Sequence, residues 1–194
     1  MERLSLTLNP QQFAEFLHLL QEGVVVTARV PCTLKDLLCD QFGLTPEYVS
    51  ERVTTIFLDG KATDAIDEAL VREGSTVALS AAMPGLVGAT MRRGGFYAAM
   101  RSAITHNETG KCTAAKEGVV RLKLFNMLLH ELGPAFLSRG IIIEPAELYE
   151  FVRDRPALLL DGHSGALIDG DPVTLAHLGA LPGQAVSLFV KFRE

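Results

Sequence analysis

The chain has 194 residues, a formal net charge of −5, a hydrophobic fraction of 48% and a charged fraction of 21%. This composition is typical of globular proteins and excludes an intrinsically disordered chain. No apolar run is long enough to span a bilayer, and the N-terminus lacks the basic-then-apolar order of a signal peptide. We therefore expect a cytoplasmic protein that binds no membrane, with one large domain or two domains of about 80 residues each.

Residues 1–85 show the pattern of several strands around one main helix. Alternating leucines and β-branched runs predict the strands, and the capping box Thr33-Leu-Lys-Asp36 predicts the start of the helix. The segment 10–20 fits either a short helix opened by Asn9 or a wide connection between strands. The other predicted elements are, in chain order, strands over 4–8 and 24–30, a helix over 33–43, a helical turn from Thr45 to Val49, and strands over 54–58 and 74–80.

Two glycine-containing turns separate the last of these strands. Asp59-Gly60 follows an apolar run and is a strong signal for a β-hairpin. Glu73-Gly74 precedes the next β-prone run and predicts a second turn.

Residues 86–118 differ from the sequence on either side. They carry five basic and two acidic side chains, a bias too small to predict nucleic-acid binding. The glycines before residue 96 predict tight turns, and residues 96–104 predict a helix with Phe96, Met100, Ala103 and Ile104 on one face. We expect this face to dock against one or both domains, and the alternative is a helix that binds a partner. Residues 105–118 are polar and predict a loop.

Residues 119–194 repeat the order of elements of the first 85 residues, which indicates an internal duplication. We therefore predict domains over 1–85 and 119–194, with 86–118 as a Gly-rich linker and connecting helix. The predicted elements are strands over 119–125 and 141–143, a helix after Glu144-Pro145, a strand over 158–162 and a strand over 186–192.

Both halves resemble the sulfur-carrier type of β-grasp, ubiquitin-like proteins, which includes the small subunit of molybdopterin synthase and the thiamine-pathway sulfur carrier. The resemblance covers about four-fifths of the chain. It implies an α+β fold of two β-grasp domains, although fold alone does not establish function. The segments that carry it are Val30–Leu38, Phe57–Gly60, Leu70–Leu79, Val120–Phe125, Leu160–Gly162 and Leu181–Leu188.

Members of this family act through a free C-terminal Gly-Gly, which is adenylated and converted to a thiocarboxylate. This chain ends in Lys191-Phe-Arg-Glu194, and its one Arg-Gly-Gly motif, Arg93-Gly94-Gly95, is internal. If the chain were cleaved after Gly95, the N-terminal half would gain such a terminus, and the resemblance would then imply an adenylating enzyme as its partner. The alternative is a glycine-rich linker with solvated arginines.

The same segment permits a second interpretation, an anion site. Gly85 and Gly88 with Arg92 and Arg93 could surround a phosphate or carboxylate ahead of the helix over 96–104. The spacing matches neither a dinucleotide-binding motif nor a P-loop.

The remaining reactive side chains form no predicted catalytic or metal site. Cys32 and Cys39 fit packing positions, and Cys112 has only His106 near it in sequence as a base. The five histidines are scattered, without metal-ligand spacing. Asp59 and Asp161 recur between the halves as turn residues.

We therefore expect a non-enzymatic, cofactor-free tandem β-grasp protein that acts as a binding or adaptor module for a protein partner. The alternatives are the carrier precursor cleaved after Gly95 and the anion- or nucleotide-binding protein. An exposed strand edge on each half leaves a homodimer open.

Overall fold

The computed structural model describes residues 1–106, 114–160, 166–181, 183 and 185–193. The described residues form an α+β protein, as predicted from the sequence. The strands are β1 Arg3–Leu8, β2 Val24–Val30, β3 Cys32–Thr33, β4 Thr55–Leu58, β5 Lys61–Ala62, β6 Leu70–Val71, β7 Thr76–Ser80, β8 Lys116–Phe125, β9 Ile141–Ile143, β10 Ala166–Ile168, β11 Asp171–Pro172 and β12 Val186–Phe192. The α-helices are α1 Leu17–Glu22, α2 Pro46–Glu51, α3 Gly85–Met91, α4 Met127–Arg139, α5 Pro145–Arg153, α6 Ala157–Leu160 and α7 Leu175–Gly179.

Three further helical segments are not α-helices. Pro10–Phe16 is a 3₁₀-helix, and Asp36–Gln41 is a π-helix. Phe96–Ile104 is 3₁₀-helical with a kink at Arg101, whose φ of −108° and ψ of 19° are not helical. The segment 10–20 is therefore helical, which decides between the two predicted alternatives. Its start has the predicted Asn9 cap, since the Gln12 N–H donates to Asn9 Oδ1 at 3.1 Å and the Asn9 N–H donates to Gln12 Oε1 at 3.0 Å.

The chain divides into two compact units. The first unit comprises Met1–Val25 and Leu132–Glu194, and the second comprises Val26–Glu131. These boundaries differ from the predicted domains 1–85 and 119–194 with a linker over 86–118. The physical reason is strand pairing: β8 lies parallel to β7 in the second unit, and β1 lies parallel to β12 in the first. The first strand of each predicted half thus belongs to the unit built mainly from the other half.

The second unit contains a mixed sheet with strand order β2-β8-β7-β4-β5. Val77 lies opposite Leu122 in the parallel pair, and β4 is antiparallel to both β7 and β5. The predicted capping box holds the start of its main helix, since the Asp36 N–H donates to Thr33 Oγ1 at 3.1 Å. Its largest fully buried side chains are Leu34, Leu37, Leu38, Ile56, Leu58, Leu79, Leu122 and Leu124.

The first unit contains a mixed sheet with strand order β11-β10-β1-β12-β9. Leu4 and Leu6, fully buried on β1, lie opposite Leu188 and Val190 of β12. Phe16 packs against Phe151 of α5 with ring centroids 5.2 Å apart. The core of this unit therefore combines aliphatic side chains of the central strands with an aromatic contact between Phe16 and α5.

Most predicted strands are confirmed, and one is wrong. Residues 158–160 of the strand predicted over 158–162 are helical, because Pro156 favours a helix start and its carbonyl accepts from the Leu159 N–H at 3.0 Å. Residues 161–162, including Asp161, lie outside the described residues. The confirmed strands are those predicted over 4–8, 24–30, 54–58, 74–80, 119–125, 141–143 and 186–192.

Candidate functional site

The structure brings the predicted site residues together in the second unit. All of them line one cleft of about 510 Å³, with Thr54, Phe96 and Tyr97 among its other walls. The predicted residues in this cleft are Gly85, Gly88, Arg92, Arg93, Gly94 and Gly95.

An ion pair between buried Arg101 and half-buried Asp64 fixes the segment that follows this cleft. Arg101, only 3% exposed, donates from Nη2 to both carboxylate oxygens of Asp64, at 2.7 and 2.8 Å. Arg101 Nε also donates to the Thr90 carbonyl of α3 at 2.8 Å. Sequence reasoning missed Arg101, since an arginine in an amphipathic pattern is normally assigned to the solvated face.

Asp64 also holds the Gly94-Gly95 dipeptide. The Gly94 N–H donates to Asp64 Oδ1 at 3.0 Å, and Gly94 has a φ of +62°. The Gly95 N–H donates to the Arg92 carbonyl at 3.1 Å. The dipeptide is therefore part of a hydrogen-bonded turn, not an extended tail.

The two neighbouring arginines differ in environment. Arg93 Nη2 donates to the Val49 carbonyl at 2.7 Å, and the Arg93 N–H donates to the Thr54 carbonyl at 2.8 Å. Burial lowers the pKa of the Arg93 guanidinium. Arg93 also lines a second cleft, of about 390 Å³, together with Lys35 and Asp64. Arg92 is exposed, so it is the arginine whose guanidinium lies open to a ligand in the first cleft.

Large apolar side chains lie exposed on the two helical segments that border the cleft. We call Leu86, Val87, Phe96, Tyr97 and Met100 the apolar surface. Their exposed fractions are 66%, 65%, 92%, 41% and 70%. The first two lie on α3, which packs against the 3₁₀-helix that carries the other three. Phe96 and Met100 therefore do not dock against the rest of the protein, and Arg101 is the buried side chain among those of this helix that the structure describes.

The cysteines give no sign of a reactive thiol among the described residues. Cys32 is buried, and burial raises the pKa of the half-buried Cys39 thiol, with the nearby Asp40 carboxylate acting in the same direction. Cys112 lies outside the described residues. The described part of the chain also contains no cluster of histidine, cysteine or acidic side chains that could hold a metal ion.

Asp59 acts as a turn residue, as predicted. It has a φ of +50°, its Oδ1 accepts from the Thr76 N–H at 2.7 Å, and its Oδ2 accepts from Ser75 Oγ at 3.0 Å. Asp169, which the sequence did not single out, has a φ of +48° and accepts from the Arg3 N–H at 3.2 Å. Both carboxylates are therefore used by local backbone structure.

Comparison of the chain with family models, curated proteins and solved structures finds no match. Among the described helices, none combines the length and apolar character needed to cross a bilayer.

Proposed function

We propose that this chain is a non-enzymatic tandem β-grasp protein related to sulfur carriers, and that it binds a protein partner through the apolar surface. The observation that carries the proposal is the exposure of Phe96 and Met100 on a helix anchored by the ion pair between buried Arg101 and half-buried Asp64. Exposed apolar clusters of this kind mark interaction sites more often than isolated exposed residues do. Anchoring lowers the conformational entropy lost when a partner binds.

Matching hairpins support the duplication. In the β4–β5 hairpin, Asp59 and Gly60 both have positive φ. Asp169 and Gly170 have positive φ at the same place in the β10–β11 hairpin. The N–H of each aspartate donates to the neighbouring strand of the sheet. The Asp59 N–H donates to the Thr76 carbonyl of β7 at 2.8 Å, and the Asp169 N–H donates to the Arg3 carbonyl of β1 at 3.0 Å. In both units this neighbouring strand also has a parallel partner, β8 for β7 and β12 for β1. The same arrangement in both units is the pattern expected of two related folds.

The same contacts weigh against the two alternatives. A carrier terminus must be thin and free to enter the active site of a partner enzyme, whereas the Gly94 N–H is bound to Asp64. An anion site needs available cations, and of the two predicted arginines only Arg92 is exposed, since Arg93 is half-buried and donates to the Val49 carbonyl.

Quantitative co-purification from the native host tests the proposal. We expect proteins enriched by the wild-type chain to be lost with the double variant Phe96→Ser/Met100→Ser. They should be retained with Met127→Ser, a matched control because Met127 is 60% exposed in the same unit but outside the apolar surface. Equal capture by all three chains would refute the proposed docking site.

Intact mass spectrometry of the untagged chain from the same host separates the alternatives. An unbroken 21.0 kDa chain supports the binding module. A species ending at Gly95, particularly one with sulfur in place of a carboxylate oxygen, would instead establish a processed carrier.

A further inference from the structure

We propose that a third cleft of the second unit binds an uncharged small molecule that joins an apolar ring to a carboxamide or lactam group. The cleft has a volume of about 470 Å³, which lies within the range of natural ligand pockets. Phe57, Met83, Val87 and Phe125 form its apolar walls. The proposal does not depend on the proposed protein docking.

The lining of this cleft favours an uncharged ligand. All eight lining residues lack an ionisable side chain. A charged group moved from water into such a lining would lose its hydration without gaining a counter-charge. The two phenylalanines also offer ring surfaces for stacking or edge-to-face contact with an aromatic ligand.

Ser80 and Asn126 supply the polar part of the cleft. Asn126 Nδ2 donates to Ser80 Oγ at 2.9 Å, and Ser80 Oγ donates to the Ala81 carbonyl at 3.0 Å. Among the side-chain hydrogen bonds of the described residues, Asn126 makes only this one. One amide hydrogen and the carbonyl oxygen of Asn126 are therefore left for a ligand. A carboxamide or lactam matches this pair, because it presents one donor and one acceptor side by side.

The backbone holds this polar group in place. Asn126 has a φ of +56°, a conformation that is uncommon for residues other than glycine, and it lies between the end of β8 and the start of α4. Gly88 also lines the cleft, and a Cβ on Gly88 would lie 2.0 Å from the Met83 carbonyl oxygen. The absence of a side chain there lets α3 approach Met83 and form the rim of the cleft.

Methyl-detected NMR of the full chain tests the proposal. The chain has five methionines, and Met83→Leu identifies the signal of the Met83 methyl, which lines the cleft. The probes are benzamide, benzoate and toluene. We expect benzamide to shift the Met83 signal saturably and to leave the signal of the exposed Met100 unchanged. At neutral pH benzoate should bind at least about tenfold more weakly than benzamide, because benzoate is charged.

One variant separates the polar from the apolar part of the cleft, and a second variant tests the site if the first does not fold. Asn126→Gly keeps a residue that tolerates positive φ, and it should weaken benzamide binding by about threefold to tenfold while leaving toluene binding unchanged. If Asn126→Gly does not fold, Val87→Phe serves instead, since it narrows the mouth of the cleft from an exposed position and should weaken both probes. Phe96→Ser/Met100→Ser should not affect benzamide, so failure of this site and failure of the proposed docking are distinguishable.

Three results would overturn the proposal. The first is no saturable shift of Met83 with any probe in the millimolar range. The second is an equal shift at Met100, which would indicate non-specific binding. The third is benzamide affinity that neither exceeds that of benzoate nor falls in Asn126→Gly.

Discussion

Arg101 and Asp64 form a two-oxygen ion pair in which the arginine is buried and the carboxylate is partly exposed. The side chain of Arg101 is 1% exposed, and that of Asp64 is 36% exposed. A buried guanidinium is stable only while it is paired, because its hydration has been removed. The Asp64 carboxylate therefore supplies the counter-charge for the buried Arg101 of the Phe96–Ile104 helix, and the same carboxylate accepts from the Gly94 N–H.

Removal of this carboxylate should loosen the candidate site. We expect Asp64→Ala to lower the free energy of unfolding by about 1–3 kcal/mol, less than for a fully buried pair because water reaches Asp64. It should also accelerate hydrogen exchange of the Gly94 amide. Asp67→Ala is the matched control, since it removes a 66% exposed carboxylate paired with the exposed Lys35. Unchanged exchange at Gly94 in Asp64→Ala would contradict the anchoring role of Asp64.

Gly88 should tolerate no side chain. Its added Cβ would lie 2.0 Å from the Met83 carbonyl oxygen, so backbone would have to move. We expect Gly88→Ala to lower the free energy of unfolding by about 1–3 kcal/mol, as overpacking does elsewhere.

Gly95→Ala provides the comparison for Gly88→Ala. The nearest atom to an added Cβ at Gly95 is the Arg92 carbonyl oxygen at 3.1 Å, so only a small adjustment is needed. Urea unfolding of both variants checks the prediction. A larger loss of stability for Gly95→Ala than for Gly88→Ala would contradict it.

Local signals in the sequence predicted local structure well. The cap at Asn9, the box from Thr33 to Asp36 and the turn at Asp59-Gly60 all depend on residues within a few positions of one another, and all three are present. The pairing of strands could not be predicted from such local signals. Nothing near Leu4 in the sequence indicates that it lies opposite Leu188, because that pairing joins residues far apart in the chain.

The glycines and arginines from 85 to 95 line one cleft, but the contacts that hold this segment were not predicted. The Gly94 N–H donates to Asp64, which lies in a loop with no motif of its own, and Asp64 in turn pairs with Arg101, which the sequence did not single out. Burial of a charge against a distant partner leaves no periodic signal in a sequence.

The Asp59 turn should contribute more to stability than the Asp169 turn. Asp59→Ala removes two hydrogen bonds to Asp59 and places alanine at a φ of +50°. We expect a loss of about 2 kcal/mol in the free energy of unfolding. Asp59→Asn retains an acceptor and tolerates this conformation, so it should lose less.

Asp169→Ala is the corresponding change in the other hairpin. It removes one hydrogen bond of 3.2 Å, to the Arg3 N–H, and should therefore have a smaller effect than Asp59→Ala. Denaturant unfolding of the three variants gives the order. If Asp59→Asn loses as much stability as Asp59→Ala, the acceptor and the tolerance of positive φ that asparagine retains contribute nothing to stability, which would contradict the prediction.

Glu131 should make stability depend on acid pH. The Arg52 guanidinium and the Tyr48 hydroxyl both donate to its carboxylate, the latter at 2.6 Å, and these bonds lower the pKa of Glu131. Its folded-state pKa therefore lies below its unfolded value of about 4.3. The stabilisation is complete above that value and is lost as the pH falls through the depressed folded-state pKa.

We expect the free energy of unfolding to fall less steeply in Glu131→Gln than in the wild-type chain between about pH 5 and pH 3. Glu51→Gln is the control, because Glu51 is an exposed glutamate on α2, the helix that also carries Tyr48. Urea unfolding at a series of pH values measures the slopes. If Glu131→Gln and Glu51→Gln change the slope equally, the hydrogen bonds to Glu131 do not account for the acid dependence of stability.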